Sequence, residues 1–157
     1  MSIVVLALVG MWVYVFSGAA GRDPPDQLDD PAIGVDFEPI CAQAREAIDA
    51  LPPAREATTA AERAPVITSA NEVLEAMLTD LGEVALDGTD RDRRLVGLWL
   101  ADWATFVDDR RSYATALTTD EAAELLVSDR AGRQITVTVD RFAEINDMAS
   151  CATPLDA

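Results

Sequence analysis

No charged side chain occurs before Arg22, and residues Ile3 to Ala20 read IVVLALVGMWVYVFSGAA. A run this long and this apolar restricts what the chain can do at its N-terminus. It is sufficient to cross a hydrocarbon layer of about 30 Å as a helix. Trp12 and Tyr14 lie toward one end of the run, as interfacial aromatic residues do. Ser17, Gly18, Ala19 and Ala20 offer the small residues of a signal-peptidase site, so a cleaved signal is the competing reading. The run is long for a signal sequence and no basic segment precedes it, which favours an uncleaved anchor over residues 1–21, with 3–20 in the membrane.

The rest of the chain carries all of the charge. Lys plus Arg is 12 and Asp plus Glu is 28, a net charge of −16. Such a surface repels nucleic acid and anionic headgroups, so no nucleic-acid partner is expected. The basic residues are all Arg, and there is no His. Without His, Ser–His–Asp and Cys–His catalysis cannot be assembled within one chain, nor can zinc sites that use His. No cofactor signature appears, and a non-enzymatic protein is expected.

Cys41 and Cys151 lie near the two ends of the polar region. Two cysteines so placed are read as one disulfide, which places the domain outside the cytosol. The flanking charges say little about orientation.

Residues 22–35, RDPPDQLDDPAIGV, read as a semi-extended Pro- and Asp-rich stalk. Asp36 is then expected to cap a helix, with Pro39 in its first turn and apolar positions at Phe37, Ile40, Cys41, Ala44, Ile48 and Leu51. Thr59 and Glu62 fit a capping box, although Pro65 is expected to break or kink the helix that starts there. From Val66 to Leu81 one apolar face recurs at helical spacing. Thr89 and Asp92 form a second capping box for a helix running to about Leu117. On that helix Leu95, Trp99, Trp103, Phe106, Arg110, Tyr113 and Leu117 fall on one stripe, the expected centre of the core.

Beyond Leu117 the period changes. Leu125 and Val127, then Ile135, Val137 and Val139, alternate with polar residues around the turn Asp129-Arg130-Ala131-Gly132, which predicts a β-hairpin. A short last helix carries Phe142 and Ile145, and Asn146-Asp147 read as its C-terminal cap. The expected fold is thus mainly α: a small four-helix bundle-like domain over 36–157 with one β-hairpin, preceded by an N-terminal transmembrane helix.

The strings GMWVYVFSG, DPPDQLDDP, RRLVGLWLADWATFVDDRRSYA and DRFAEINDMASC resemble those of uncharacterised single-span exported proteins of actinobacterial, high-GC Gram-positive type. The likeness covers nearly the whole chain. It implies an N-terminus in the cytoplasm and a domain exported across the cell membrane, and it implies no activity.

Four residues of the third helix are the candidates for chemistry: Asp102, Asp109, Arg110 and Tyr113. A carboxylate within an apolar segment must be paired or protonated, and a buried Arg must be paired. The expectation is an inter-helix polar network, with Arg110 held by Asp102 or Asp109. A polar pocket for a cation or small ligand is the functional alternative. Asp87, Asp90 and Asp92 lack the order of a calcium loop and read as turn and cap. Together these features point to an extracytoplasmic interaction or scaffolding protein of the cell envelope, with a protein or envelope component as partner. The alternative is an extracytoplasmic small-ligand or cation-binding module. The disulfide is open to direct test: thiol labelling of unreduced, denatured protein should find no free thiol. A loop of about 110 residues should make reduction cost on the order of 4–5 kcal/mol.

Overall fold

The computed structural model describes Trp12 and residues 24–155. Within residues 24–155 four helices succeed one another: α1 (Ala32–Asp49), α2 (Ala60–Glu83), α3 (Asp90–Ala116) and α4 (Ile135–Ile145). Single 3-10 turns lie at Ala54–Glu56 and Ala149–Cys151. A two-stranded antiparallel hairpin pairs β1 (Asp129–Arg130) with β2 (Arg133–Gln134). The anchor expected over residues 3–20 lies outside the described residues except for Trp12, which is helical and exposed. Among the described residues no helix is long and apolar enough to cross a membrane.

α3 is the central helix, packed against α2 on one side and α4 on the other. Both expected capping boxes form. Thr59 and Thr89 accept from the backbone N–H of Glu62 and Asp92, whose side chains reach back to the cap residues. The stripe on α3 is buried from Trp99 to Leu117, with Leu95 half-buried. Trp99 lies between Phe37 of α1, at 6.0 Å between ring centroids, and Phe142 of α4, at 5.3 Å. Its indole N–H donates to the Val139 carbonyl. A smaller apolar cluster, with Ile67, Tyr113 and Leu117 at its centre, closes the other end of the α2–α3 pair.

Four expectations are corrected. Residues 24–31 are not a free stalk. Leu28 is buried, its N–H donates to Asn146 Oδ1 at 2.8 Å, and Arg91 donates to the carbonyls of Pro25 and Gln27. This segment straps the start of the domain to the first turn of α3 and the end of α4. α1 begins at Ala32, not after Asp36. Pro31 has the backbone angles of a helix start, Asp30 Oδ1 accepts from the Ala32 N–H, and Ile33 extends the buried stripe one turn back from Phe37. Pro39 therefore lies inside α1. Likewise α2 runs unbroken through Pro65. Each Pro removes one backbone hydrogen bond, and the buried faces on either side hold the helix together across it.

The fourth correction concerns the hairpin. It is only two residues per strand, and Ile135–Ile145 is helical. Ile135, Val139, Phe142 and Ala143 are buried, which is helical spacing, whereas Val137 is 49% exposed. The β-branched run satisfied both periods as a string of letters. Only one of them puts the large side chains under Trp99. The turn residues behave as expected: Ala131 and Gly132 both take positive φ, as a tight hairpin turn requires. Asn146 caps α4, with Asp147 next to it at positive φ.

α1 crosses the end of α4 closely at Gly34. A Cβ there would lie 2.5 Å from the Asn146 carbonyl oxygen. Gly34→Ala should therefore lower stability by about 1–3 kcal/mol in thermal or denaturant unfolding, despite the better helix propensity of Ala.

Candidate functional site

The four candidates on α3 do not converge. Each bonds a different residue outside the set. Asp102 is buried and forms an ion pair with Arg130 of the hairpin. Asp109 accepts from the Ser128 N–H at 2.7 Å and from its hydroxyl at 2.8 Å. Arg110 is fully buried; its Nε–H donates to Asn71 Oδ1 on α2 at 2.7 Å, and its guanidinium carbon lies 5.6 Å from the Phe106 ring centre. The Tyr113 hydroxyl accepts from Arg63, also on α2. Through Nε, Arg110 bonds Asn71, while Asp102 bonds Arg130 and Asp109 bonds Ser128. The two acids face the segment after α3, and the Arg faces α2. The physical reason is angular: along a helix Asp102 and Asp109 share a direction that Arg110 does not. All four residues join α3 to its neighbours.

Asp92 is the most deeply committed carboxylate. It is fully buried and accepts from the Asp29 N–H at 2.7 Å, the Thr89 N–H at 3.0 Å and the Thr89 hydroxyl at 3.0 Å. Burial pushes its carboxyl up. The three hydrogen bonds, with Arg91 beside it, outweigh that and hold it below the usual carboxylate range. Among the described residues no group of three or more acidic, His or Cys side chains is placed to hold a metal ion.

A different place has the shape of a binding site. A cavity of about 210 Å³ opens between α1, α2, α3 and the segment after the disulfide. Its construction starts from one face of α1. Glu38 accepts from the Ser150 N–H, Cys41 is bonded to Cys151 with Cα atoms 5.0 Å apart, and Arg45 donates to the carbonyls of Ser150 and Ala152. Asp140 of α4 holds Thr153 through its N–H and hydroxyl. The chain from Ser150 to Thr153 is thereby held in place, and with Pro154 and Leu155 it forms one wall. The inner surface is apolar, formed by the buried side chains of Ala44, Ile48, Leu74, Met77 and Trp103. The mouth carries Asp49 and Arg55, both exposed, with Arg45 half-buried beside them.

Trp103 is 1% exposed, and its indole N–H is buried with no hydrogen-bond partner among the described residues, unlike that of Trp99. Leaving such a donor unpaired costs about 1–3 kcal/mol. The sequence pointed to the disulfide and to the core position of Trp103. It did not reveal Arg45 and Arg55, whose only signal was basic residues on a strongly acidic chain. Compared with known proteins, the chain matches no family model, no curated protein and no solved structure.

The Asp92 cluster makes an acid-stability prediction. Its folded-state pKa lies below the unfolded value of about 3.9, so the contribution is complete above about pH 5 and lost as pH falls through the depressed value. Asp92→Asn should destabilise the domain at neutral pH, and the gap from the parent protein should narrow as pH falls below about 5. Urea titrations at a series of pH values would measure this.

Proposed function

We propose that this chain is a membrane-attached, non-enzymatic interaction or scaffolding protein of the cell envelope, anchored through residues 3–20 with its helical domain extracytoplasmic. The observation that carries the reading is the Cys41–Cys151 disulfide, buried and closing the domain from α1 to its C-terminal segment. Such a bond persists outside the cytosol. The resemblance to exported single-span chains points the same way.

The strap supports a role close to the membrane. Only Gly21, Arg22 and Asp23 separate Ala20 from Pro24. At full extension that distance is at most about 14 Å. From Pro25 onward the segment is tied to α3, so the domain would be held near the bilayer in a restricted orientation. The engagement of Asp92, Asp102, Asp109 and Asp140 in structural hydrogen bonds supports a non-enzymatic reading. Exposed apolar side chains at Val35, Leu98 and Val137 are available to a partner. A second reading, an extracytoplasmic small-ligand module, is supported by the cavity beside the disulfide.

The test is topology and contact in the native membrane. Protease added outside intact cells should remove an epitope placed at the C-terminus. A photo-crosslinker at Leu98 should give a discrete adduct with a membrane or wall component. An epitope protected until the cells are lysed would overturn the placement, and absence of any adduct from Leu98, Val35 or Val137 would overturn the interaction reading.

A further inference from the structure

We propose that the groove between α2 and α3 binds an extended, basic peptide segment and holds one of its backbone carbonyls through the Asn71 amide. The proposal goes beyond the envelope reading and does not depend on where the domain resides. The groove has a volume of about 730 Å³, and its floor is low because Ala64 and Ala114 meet there, both buried. Its lining on α2 runs from Ala61 to Glu75, about 20 Å by helical rise. An extended chain covers that length with about six residues.

The donor comes from a side chain that is 4% exposed. Asn71 lines the groove, and its Oδ1 accepts from the Arg110 Nε–H at 2.7 Å. That bond fixes which way the amide faces, because a guanidinium nitrogen can only donate. The Asn71 Nδ2 has no acceptor among the described residues, and it is not sealed from solvent as the Trp103 nitrogen is. Arg111 is spent on Glu75 and Asp108. The remaining polar groups of the groove accept. The hydroxyls of Thr68, Thr115 and Thr118 donate to the carbonyls of Ala64, Arg111 and Thr115, so they turn lone pairs outward. Pro65 has no N–H, so the Ala61 carbonyl lacks its α-helical donor. Glu72 is exposed and makes no hydrogen bond or ion pair among the described residues.

The charge around the groove has one sign. Glu72 and Glu75 line it against Arg111. Within two residues of the lining stand Glu62, Asp109 and Asp120 against Arg63 and Arg110, and Asp108 joins Arg111 from the turn before. Arg55 and Glu56, on the adjacent 3-10 turn, offset each other. The surroundings therefore favour a cation, and the groove's acceptors need N–H groups from the ligand. Lys or Arg side chains on a peptide supply both. The backbone of that peptide must be extended. A helix spends its carbonyls on its own N–H groups and would leave the Asn71 Nδ2 unmet, whereas an extended segment offers it a free carbonyl. The donor is held in place by Arg110 before any ligand arrives, so little ordering of the protein is needed.

The experiment uses the full chain in zwitterionic detergent at about 0.15 M salt, where distant charges are screened. Asparagine alone carries nitrogen-15. The chain has two asparagines, Asn71 and Asn146, and carbonyl labelling of alanine picks out Asn71, which follows Ala70. The Asn146 amide is already spent on the carbonyls of Asp26 and Phe142, so it serves as the internal reference. Capped hexalysine should move the Asn71 side-chain amide saturably and leave that of Asn146 in place. Spermine, a cation without a carbonyl, should leave Asn71 nearly unmoved. Glu72→Gln alters an exposed side chain and should weaken hexalysine about fivefold. Glu46→Gln, exposed on α1 outside the groove, should leave the affinity unchanged. Thr115→Arg, which fills the groove from an exposed position of α3, should abolish the shift; the Asn146 resonance and the thermal midpoint report whether that variant keeps its fold. An unmoved Asn71 amide at saturating hexalysine would overturn the proposal. So would an equal shift with spermine, which would mean a cation site only. Equal weakening by Glu46→Gln and Glu72→Gln would reduce the effect to general attraction by an acidic chain and would also overturn it. None of these readouts depends on topology, so the groove and the envelope reading can fail separately.

Discussion

Trp99 is the side chain on which the rest of this domain depends. It is sandwiched between Phe37 and Phe142, so that α1, α3 and α4 meet at one indole, and its N–H is satisfied by a carbonyl of α4. Aromatic contacts of this kind contribute through large buried area and through ring geometry. Because α1 and α4 are far apart in sequence, the stack also sets where the chain ends must lie. Once Phe37 and Phe142 share a ring between them, Gly34 must pass close to Asn146, and Leu28 comes within reach of the Asn146 side chain. The strap and the disulfide are both consequences of that convergence.

The polar residues of α3 serve the same convergence. Asp92 receives the strap and Asp102 receives the hairpin. Asp109 receives the chain just before the hairpin, and Arg110 receives α2. Each is a buried or half-buried group paired to a different neighbour, which is how a helix surrounded on several sides keeps its polar groups satisfied. A cluster read along one helix is therefore a set of joints.

Much of the fold was legible in local pattern. Thr59–Glu62 and Thr89–Asp92 announced two helix starts because capping is a contact within four residues. The α3 stripe announced the core because its period is regular over many turns. Pro39 and Pro65 misled, since a proline costs one hydrogen bond locally while the packing of the flanking turns is not local. The segment from Ile135 to Val139 misled because β-branched residues at alternate positions fit a strand, and the same residues taken with Phe142 and Ala143 fit a helix. The cavity was hidden in the sequence, since it is built by residues from α1, α2, α3 and the C-terminal segment that share no spacing.

What the sequence alone determined is whatever rests on composition and short-range contact: the uncharged apolar start, the acidic surface, the lack of His, the two capped helices and the aromatic stripe. What the tertiary structure decided is every choice between two locally acceptable states. It made residues 24–31 a strap, made Ile135–Ile145 a helix, sent the Arg110 Nε–H to Asn71, and opened a cavity beside the disulfide. The physical reason is that these outcomes turn on pairings between residues far apart in the chain, whose energies exceed the small local preferences they override.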